Sequence, residues 1–489
     1  MSRLFSWLLN GCYAAVILLA SPVVVWRAVR YGKYRDGWGA KLLGRVPARR
    51  GDAPCAWLHA VSVGEVNLLA TTIAELHRQR PEWEIVISTT TNTGYELALK
   101  KYSDHQVFYC PLDFSWACAA AVNRLRPRLL VLAELELWPN LIAAAKRGGA
   151  RVAIINGRLS DGSFRGYRRV RPLVAPVLRQ LDLIAAQDEE TAGRFQQLGA
   201  DPAAVQTTGS LKFDGAETDR DNPRTTALKQ LAGITRDDRI FVAGSTQAPE
   251  EQYAIDILRK LTAADADRNW EGEAPGEAHP QVRLIIVPRH AERFDEVARL
   301  IEASGIPWAR RSQLVGAFAE SDAQRVAGDV AQRSPQGVSN QTLPPGGSAC
   351  GSVPSHPEAG AADSRTAVLP RWQILLVDVI GELGAWWGAA DVGFVGGSFG
   401  SRGGQNMLEP AAYGVPTCFG PNTRNFRDIV RRLLAVEGAV VVNDAAELEQ
   451  FVRGALDAPE QAAAAGGRAR QLVLSQQGAT RRTVELLAA

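Results

Sequence analysis

Two doubly wound, Rossmann-like α/β halves behind an apolar N-terminal segment are the architecture this sequence predicts. Three observations predict it. Apolar, β-branched runs alternate with amphipathic helical stretches, as expected of parallel sheets covered on both faces. The alternation stops over residues 209–226, "GSLKFDGAETDRDNPRTT", and then resumes. The length, 489 residues, suits two domains of roughly 100–200 residues with extra segments.

The elements follow in order. "LLNGCYAAVILLASPVVV", residues 8–25, carries no charge and approaches the ~20 residues that span a bilayer. Arg3 precedes it, and Arg27, Arg30, Lys33 and Arg35 follow it. The heavier positive flank places the rest of the chain in the cytoplasm and argues against cleavage after Ala20. Residues 1–30 are therefore expected to form an uncleaved membrane anchor, crossing once or inserting shallowly as a monotopic helix. Residues 31–215 read as the first domain. "AWLHAVS", "EIVISTT", "RLLVLAEL", "RVAIIN" and "LDLIAAQ" are its strands, most followed by a helical stretch such as "EVNLLATTIAELHRQR". Residues 216–238 read as a linker. The second domain, 239–470, opens with "RIFVAGSTQ" and continues through "VRLIIVPRH", "ILLVDVIG", "DVGFVGGS", "VPTCFG" and "AVVVND". Two stretches rich in small and polar residues, about 264–280 and 312–370, read as disordered insertions. Residues 471–489 complete the chain as a C-terminal helix.

Composition narrows the function classes. Hydrophobic residues make up 46% and charged residues 22%, both ordinary for globular domains. A net charge of +3 gives no global field directed at nucleic acid. Six cysteines are scattered without metal-type spacing, as expected of reduced thiols, and six histidines form no metal-ligand pattern. A mechanism without metal or cofactor is the expectation.

Doubly wound sheets bind ligands beyond the C-terminal ends of their strands, so the loops there hold the candidates. In "HAVSVGEV", Gly64 permits a tight turn and Glu65 opens a helix, whose N-terminus favours the ionised carboxylate. "STTTNTG" offers hydroxyls and backbone donors to an anion or a sugar. "AELELWPN" sets Glu134 and Glu136 at alternate positions of one strand end. "INGRLS" and "GSLKFD" supply Arg158 and Lys212. In the second domain, "VPRHAERF" supplies Arg289, suited to a phosphate, and "DVIGEL" supplies backbone amides and Glu382. "VGGSFGSRGGQNMLEP", residues 395–410, packs five glycines ahead of Asn406 and Glu409. It is neither a dinucleotide fingerprint nor a Walker loop. Its glycines are expected to bring backbone amides to a phosphate, and Glu409 to hold a ribose. "FGPNTRNF" adds Asn422 and Asn425. Two such domains facing a cleft, with a nucleotide in the second, outline a GT-B glycosyltransferase. Sugar epimerases share the layout, and fold alone does not give function.

The motifs "HAVSVGEV", "STTTNTGYELA", "CPLDF", "AELELWPNLI", "INGRLS", "GSLKFD", "AGSTQAPEE", "VPRHAERF", "VDVIGELG", "ADVGFVGGS" and "RGGQNMLEPAAYGVPTCFGPNTRNF" occur in that order. Together with "KYRDGWGAKLLG" after the anchor, they resemble the Kdo (3-deoxy-D-manno-octulosonic acid) transferases of lipopolysaccharide assembly. The resemblance runs from the anchor to about residue 444, interrupted by the insertions. It implies inverting, metal-independent transfer of Kdo from CMP-Kdo to a lipid A precursor at the inner membrane. By motif, Glu65 matches the catalytic base, and Glu136 and Lys212 match residues that support the transition state. Pro288, Arg289, Ile380, Gly381, Glu382, Asn406, Met407, Leu408 and Glu409 match the CMP-binding segments. Gln247 and Gln405 stand where the family usually has histidine. Glutamine donates and accepts hydrogen bonds but carries no proton charge. The alternatives are a membrane-anchored transferase of another nucleotide sugar, such as a UDP-hexosamine, and a weakened homologue that only binds.

Overall fold

Alternate residues of each interior strand go to opposite faces of a sheet. In the first half, Trp57, Leu130, Leu132, Val152 and Ile154 join one apolar cluster, while Leu58, Val131, Ala153 and Ile155 join another. Both faces are thus covered, which is why these strands read as continuous apolar runs. The computed structural model describes residues 3–31, 37–268, 281–314 and 372–489. They divide into two compact units. One comprises Met1–Ala216 with Val473–Ala489, the other Glu217–Leu472.

The first unit holds β1 Cys55–His59, β2 Glu84–Thr89, β3 Gln106–Tyr109, β4 Leu129–Ala133, β5 Arg151–Gly157, β6 Leu183–Ala186 and β7 Val205–Thr207. They form one seven-stranded sheet in the order β3-β2-β1-β4-β5-β6-β7. All its pairings are parallel. The second unit holds β8 Arg239–Thr246, β9 Val282–Pro288, β10 Trp308–Arg310, β11 Ile374–Leu376, β12 Val392–Val395, β13 Thr417–Phe419 and β14 Ala439–Val441. Their order is β10-β11-β9-β8-β12-β13-β14, again parallel throughout. Each unit is therefore a doubly wound sheet of the expected class.

The sequence reading passes over three strands, β3, β7 and β10. All lie at sheet edges, and each has only three or four residues, too few to display a period. Residues 217–238, read as linker, group with the second unit and carry the helix Pro223–Leu231. The first insertion overlaps the helix Glu250–Arg268 over residues 264–268. Residues 312–314 are not part of an insertion either. Ser312 bonds Asp378 through its backbone N–H (2.8 Å) and hydroxyl (2.6 Å), and Leu314 is buried. The remainder of both insertions lies outside the described residues.

The C-terminal helix Ala479–Ala488 closes the first unit. Ala479, Val484 and Leu487 enter the apolar cluster that covers one face of its sheet. Asp214 starts this helix from the far side of the sequence. Its carboxylate accepts from the backbone N–H of Gly478 (2.6 Å) and from that of Thr480. A carboxylate there satisfies orphan donors and meets the positive end of the helix dipole. Asp214→Ala is expected to lower stability by about 1–2 kcal/mol, read by urea unfolding. Amide exchange should rise first in the C-terminal helix.

Candidate active-site residues

Each sheet has a point where the strand order reverses. In the first it lies between β1 and β4, in the second between β8 and β12. Crevices open at such points beyond the carboxyl ends of the strands. Backbone strain gathers at the same ends. Glu134 (φ 54°), Asn156 (φ 54°) and Ser245 (φ 56°) adopt the left-handed conformation without being glycine, at about 1–2 kcal/mol each. Such outliers collect at functional sites.

In the first unit, Ser62 caps the helix Val63–Gln79 by accepting from the N–H of Glu65 (3.3 Å). The Glu65 carboxylate accepts from the Ser62 hydroxyl (2.7 Å) and the Val61 N–H (2.8 Å). This is a capping box. It uses one lone pair on each oxygen and leaves acceptor capacity on both. Glu136 accepts from the indole N–H of Trp138 (2.8 Å). Burial pushes the Glu136 carboxyl above its usual range. The Trp138 bond opposes this, and the charges of Glu65 and Glu134 add to it. Three carboxylates therefore meet beyond β1 and β4. Lys212 is the cation beside them, and it pairs with Glu134 (3.2 Å). Asn156 sets its place. Its side-chain amide oxygen accepts from the N–H of Leu211 (3.1 Å), next to Lys212.

The neighbouring groups are supports. The imidazole of His59 bonds the Ser88 hydroxyl (2.9 Å) and meets Trp138 edge-on at 5.5 Å. Burial lowers its pKa to about 4, against the Ser88 carbonyl, so the ring is neutral at physiological pH. The hydroxyls of Thr89 and Thr91 bond the carbonyl of Val61 (3.3 and 2.8 Å). They brace the Glu65 loop. Arg158 is exposed at the end of β5.

In the second unit, the glycine loop closes on a protein carboxylate. Glu250 accepts four backbone N–H bonds, from Gln247 (2.9 Å), Gly397 (2.7 Å), Ser398 (3.0 Å) and Phe399 (3.2 Å). Glu250 is 1% exposed. Burial raises its carboxyl above the usual range, and the loop N–H groups oppose the rise. A Cβ at Gly396 would stand 2.6 Å from its Oε2, so only glycine lets the strand pass. The expected occupant of the amides at 397–399, a ligand phosphate, is thus corrected: Glu250 holds them. Asn422 and Asn425 pin the same loop, donating to the carbonyls of Phe399 (3.0 Å) and Arg402 (2.8 Å). Gln247 and Gln405 converge over Gly397. A Cβ there would lie 3.4 and 3.0 Å from their amide nitrogens.

The other predicted residues divide into exposed and buried. Arg289 follows Pro288 at the end of β9, and its N–H donates to the Thr246 carbonyl (3.1 Å). Glu409, partly exposed, accepts from the Asn406 amide (3.0 Å). Burial raises its carboxyl, while Asn406 and the charge of Arg289 oppose the rise. Arg289, Asn406 and Glu409 are therefore brought together. Ile380 is 79% exposed, and Gly381 (φ 90°) offers backbone beside it. Glu382 is engaged elsewhere, by Arg311 (2.9 and 2.7 Å) and the Trp386 indole (3.3 Å). The side chains of Met407 and Leu408 are core, and they seat the turn that carries Asn406 and Glu409. Among the described residues, no His, Cys, Asp or Glu group is arranged to hold a metal ion.

Residues 36–215 match the family model described as 3-deoxy-D-manno-octulosonic-acid transferase (kdotransferase). The 3-deoxy-D-manno-octulosonic acid transferase of Bordetella pertussis is 30% identical, with 98% of both chains covered. That of Haemophilus influenzae is 28% identical, over 97% of this chain and 94% of its own. The crystal structure of UDP-GlcNAc 2-epimerase from Neisseria meningitidis bound to UDP-GlcNAc superposes with a TM-score of 0.51. It covers 89% of this chain and 99% of its own at 10% identity, a likeness of fold alone.

Glu250→Gln replaces one acceptor oxygen by a donor facing two N–H groups. Hydrogen bonds to charged groups are worth about 1.5–3 kcal/mol each. Denaturant unfolding should therefore show a loss of at least ~2 kcal/mol, and calorimetry should show weakened nucleotide binding.

Proposed function

This chain belongs to the 3-deoxy-D-manno-octulosonic acid transferase family and is a glycosyltransferase, and from that premise we propose that it transfers Kdo from CMP-Kdo to a lipid A precursor of the lipid IVA type, with inversion at the anomeric carbon, at the cytoplasmic face of the inner membrane. The observation that carries the residue roles is the group of Glu65, Glu134 and Glu136 beside Lys212, beyond the order reversal of the first sheet. Relatives matched over nearly the whole chain support the choice of sugar.

In this reading the second unit holds the donor. Glu409 accepts from the ribose hydroxyls, steadied by Asn406. The Arg289 guanidinium takes the phosphate, and the backbone of Pro288, Ile380 and Gly381 borders the nucleotide. Glu382, Met407 and Leu408 shape that border from within. The first unit serves the acceptor. A hydroxyl oxygen of the acceptor attacks the anomeric carbon, and Glu65 removes its proton. The bond from that carbon to the phosphate oxygen breaks, and CMP leaves with the electron pair. Atoms and electrons balance without a cofactor. Positive character grows at the carbon as CMP departs, and the Glu136 carboxylate stabilises it. Lys212 holds Glu134 in the group. The N-terminal helix keeps the enzyme at the membrane that contains its acceptor.

Incubation of the full-length protein with CMP-Kdo and lipid IVA should yield Kdo-lipid, counted by product mass. Absence of product where a related enzyme works would leave a binding role. Calorimetry that finds UDP bound and CMP unbound would point to another nucleotide sugar. Glu65→Gln should abolish turnover and leave CMP affinity nearly unchanged. A variant with normal turnover refutes the base. Glu409→Ala should weaken CMP binding roughly tenfold to a hundredfold, as expected for one or two charge-assisted hydrogen bonds.

A further inference from the structure

The helix Arg3–Tyr31 contains an apolar window, Phe5–Val23, long enough to cross a bilayer. One side of it is bound to the first unit. The Asn10 amide donates to the Ser115 hydroxyl (2.8 Å) and accepts from the Ser115 N–H (3.0 Å). It also accepts from the Asn140 amide (3.4 Å). Tyr13 donates to Asp113 (3.3 Å), and its ring meets Phe114 edge-on at 6.1 Å. Asp113 in turn accepts from the N–H groups of Asn140 (3.1 Å) and Leu141 (2.8 Å), at the start of the helix Pro139–Arg147. Burial pushes its carboxyl up to about 6, against those bonds. The other side of the helix is exposed and apolar, with Trp7, Leu8, Leu18, Leu19, Val23 and Trp26. Leu42 is held at the same place. The indole of Trp116, next to Ser115, donates to the carbonyl of Leu42 (2.9 Å).

We infer that this helix lies in the plane of one membrane surface, its outer face among lipid and its inner face bolted to the catalytic unit, and does not cross the bilayer. The inference rests on the membrane attachment proposed above. A crossing leaves the ends of a segment on opposite sides. Asn10, inside the window, and Leu42, after it, are held by adjacent residues, Ser115 and Trp116, so both sit on one side. A crossing by the window itself would put Asn10 and Tyr13 in hydrocarbon, together with Asp113 and the helix starts bonded to them. Polar groups there without water cost several kcal/mol each. The occupant of the outer face is a lipid surface. Trp7, Trp26, Trp38 and Trp116 are all exposed on this unit, and tryptophan favours the layer between headgroups and acyl chains. Arg27, Arg30, Lys33 and Arg35 follow the window and favour anionic headgroups.

Topology mapping of the full-length chain tests this. In a Cys12→Ser, Cys350→Ser background the remaining cysteines are buried. Arg3→Cys or Glu460→Cys is then added singly and exposed to a membrane-impermeant maleimide in inside-out and right-side-out vesicles. Labelling of both positions from the same face supports the in-plane helix. Labelling of Arg3→Cys only from the face opposite Glu460→Cys, or only after detergent, overturns it. A wild-type chain that stays in the soluble fraction overturns the membrane attachment itself, and this inference with it.

Discussion

Both sheets are buried on two faces, and that constraint decides where chemistry sits. A strand such as β4 or β8 is apolar along its whole interior, and its backbone is consumed by parallel pairing. Functional side chains find room only past the last paired residue. The neighbours diverge most where strand order reverses, at β1/β4 and β8/β12. The strained residues Glu134 and Ser245 stand at those ends, as does the capping box of Glu65. The first sheet thus gathers acids at its reversal, and the second gathers a loop.

Several acids are satisfied by backbone rather than by cations. Buried Glu250 takes four N–H groups, buried Asp113 takes two at a helix start, and the partly exposed Asp214 starts the C-terminal helix. Backbone donors fix position without neutralising charge, which is why burial still raises the carboxyls of Glu250 and Asp113. The return is geometric. The segment 397–399 is folded around Glu250, and its N–H groups are satisfied within the chain.

The sequence carried most of this, within limits set by range. Most interior strands announce themselves by apolarity. The edge strands β3, β7 and β10, of three or four residues, do not. Glycine density correctly signalled a close backbone approach at residues 396–404. The partner escaped notice because Glu250 lies 147 residues away from Gly397, and no local pattern joins them. "TQAPEE" held the only hint, paired acids opening a helix at a strand end. Asn156 was hidden in the same way, since its bond to Leu211 spans 55 residues. Met407 and Leu408 sit in a binding-type motif but point into the core, because a tight turn needs apolar seating as well as exposed groups. The N-terminal window read as a span by composition. Asn10, an isolated polar residue within it, was the sign of a docked face.

The acid group in the first unit has a consequence for the proposed reaction. Among the described residues, three carboxylates and one lysine make this group formally negative. That sign suits a reacting carbon that becomes positive as CMP departs. An isolated ion pair at 4 Å is worth about 1 kcal/mol in water and several-fold more at an effective dielectric of ~20. Burial of Glu136 moves its interactions toward the second case. The same field opposes ionisation of its own members, as the raised carboxyl of Glu136 records. Lys212 resolves the conflict in part by pairing with Glu134, the acid on the strained turn. Glu65 is tied to the start of its helix by two local donors. The surroundings divide the cluster: Glu134 is paired with Lys212, and Glu136 is pushed toward protonation.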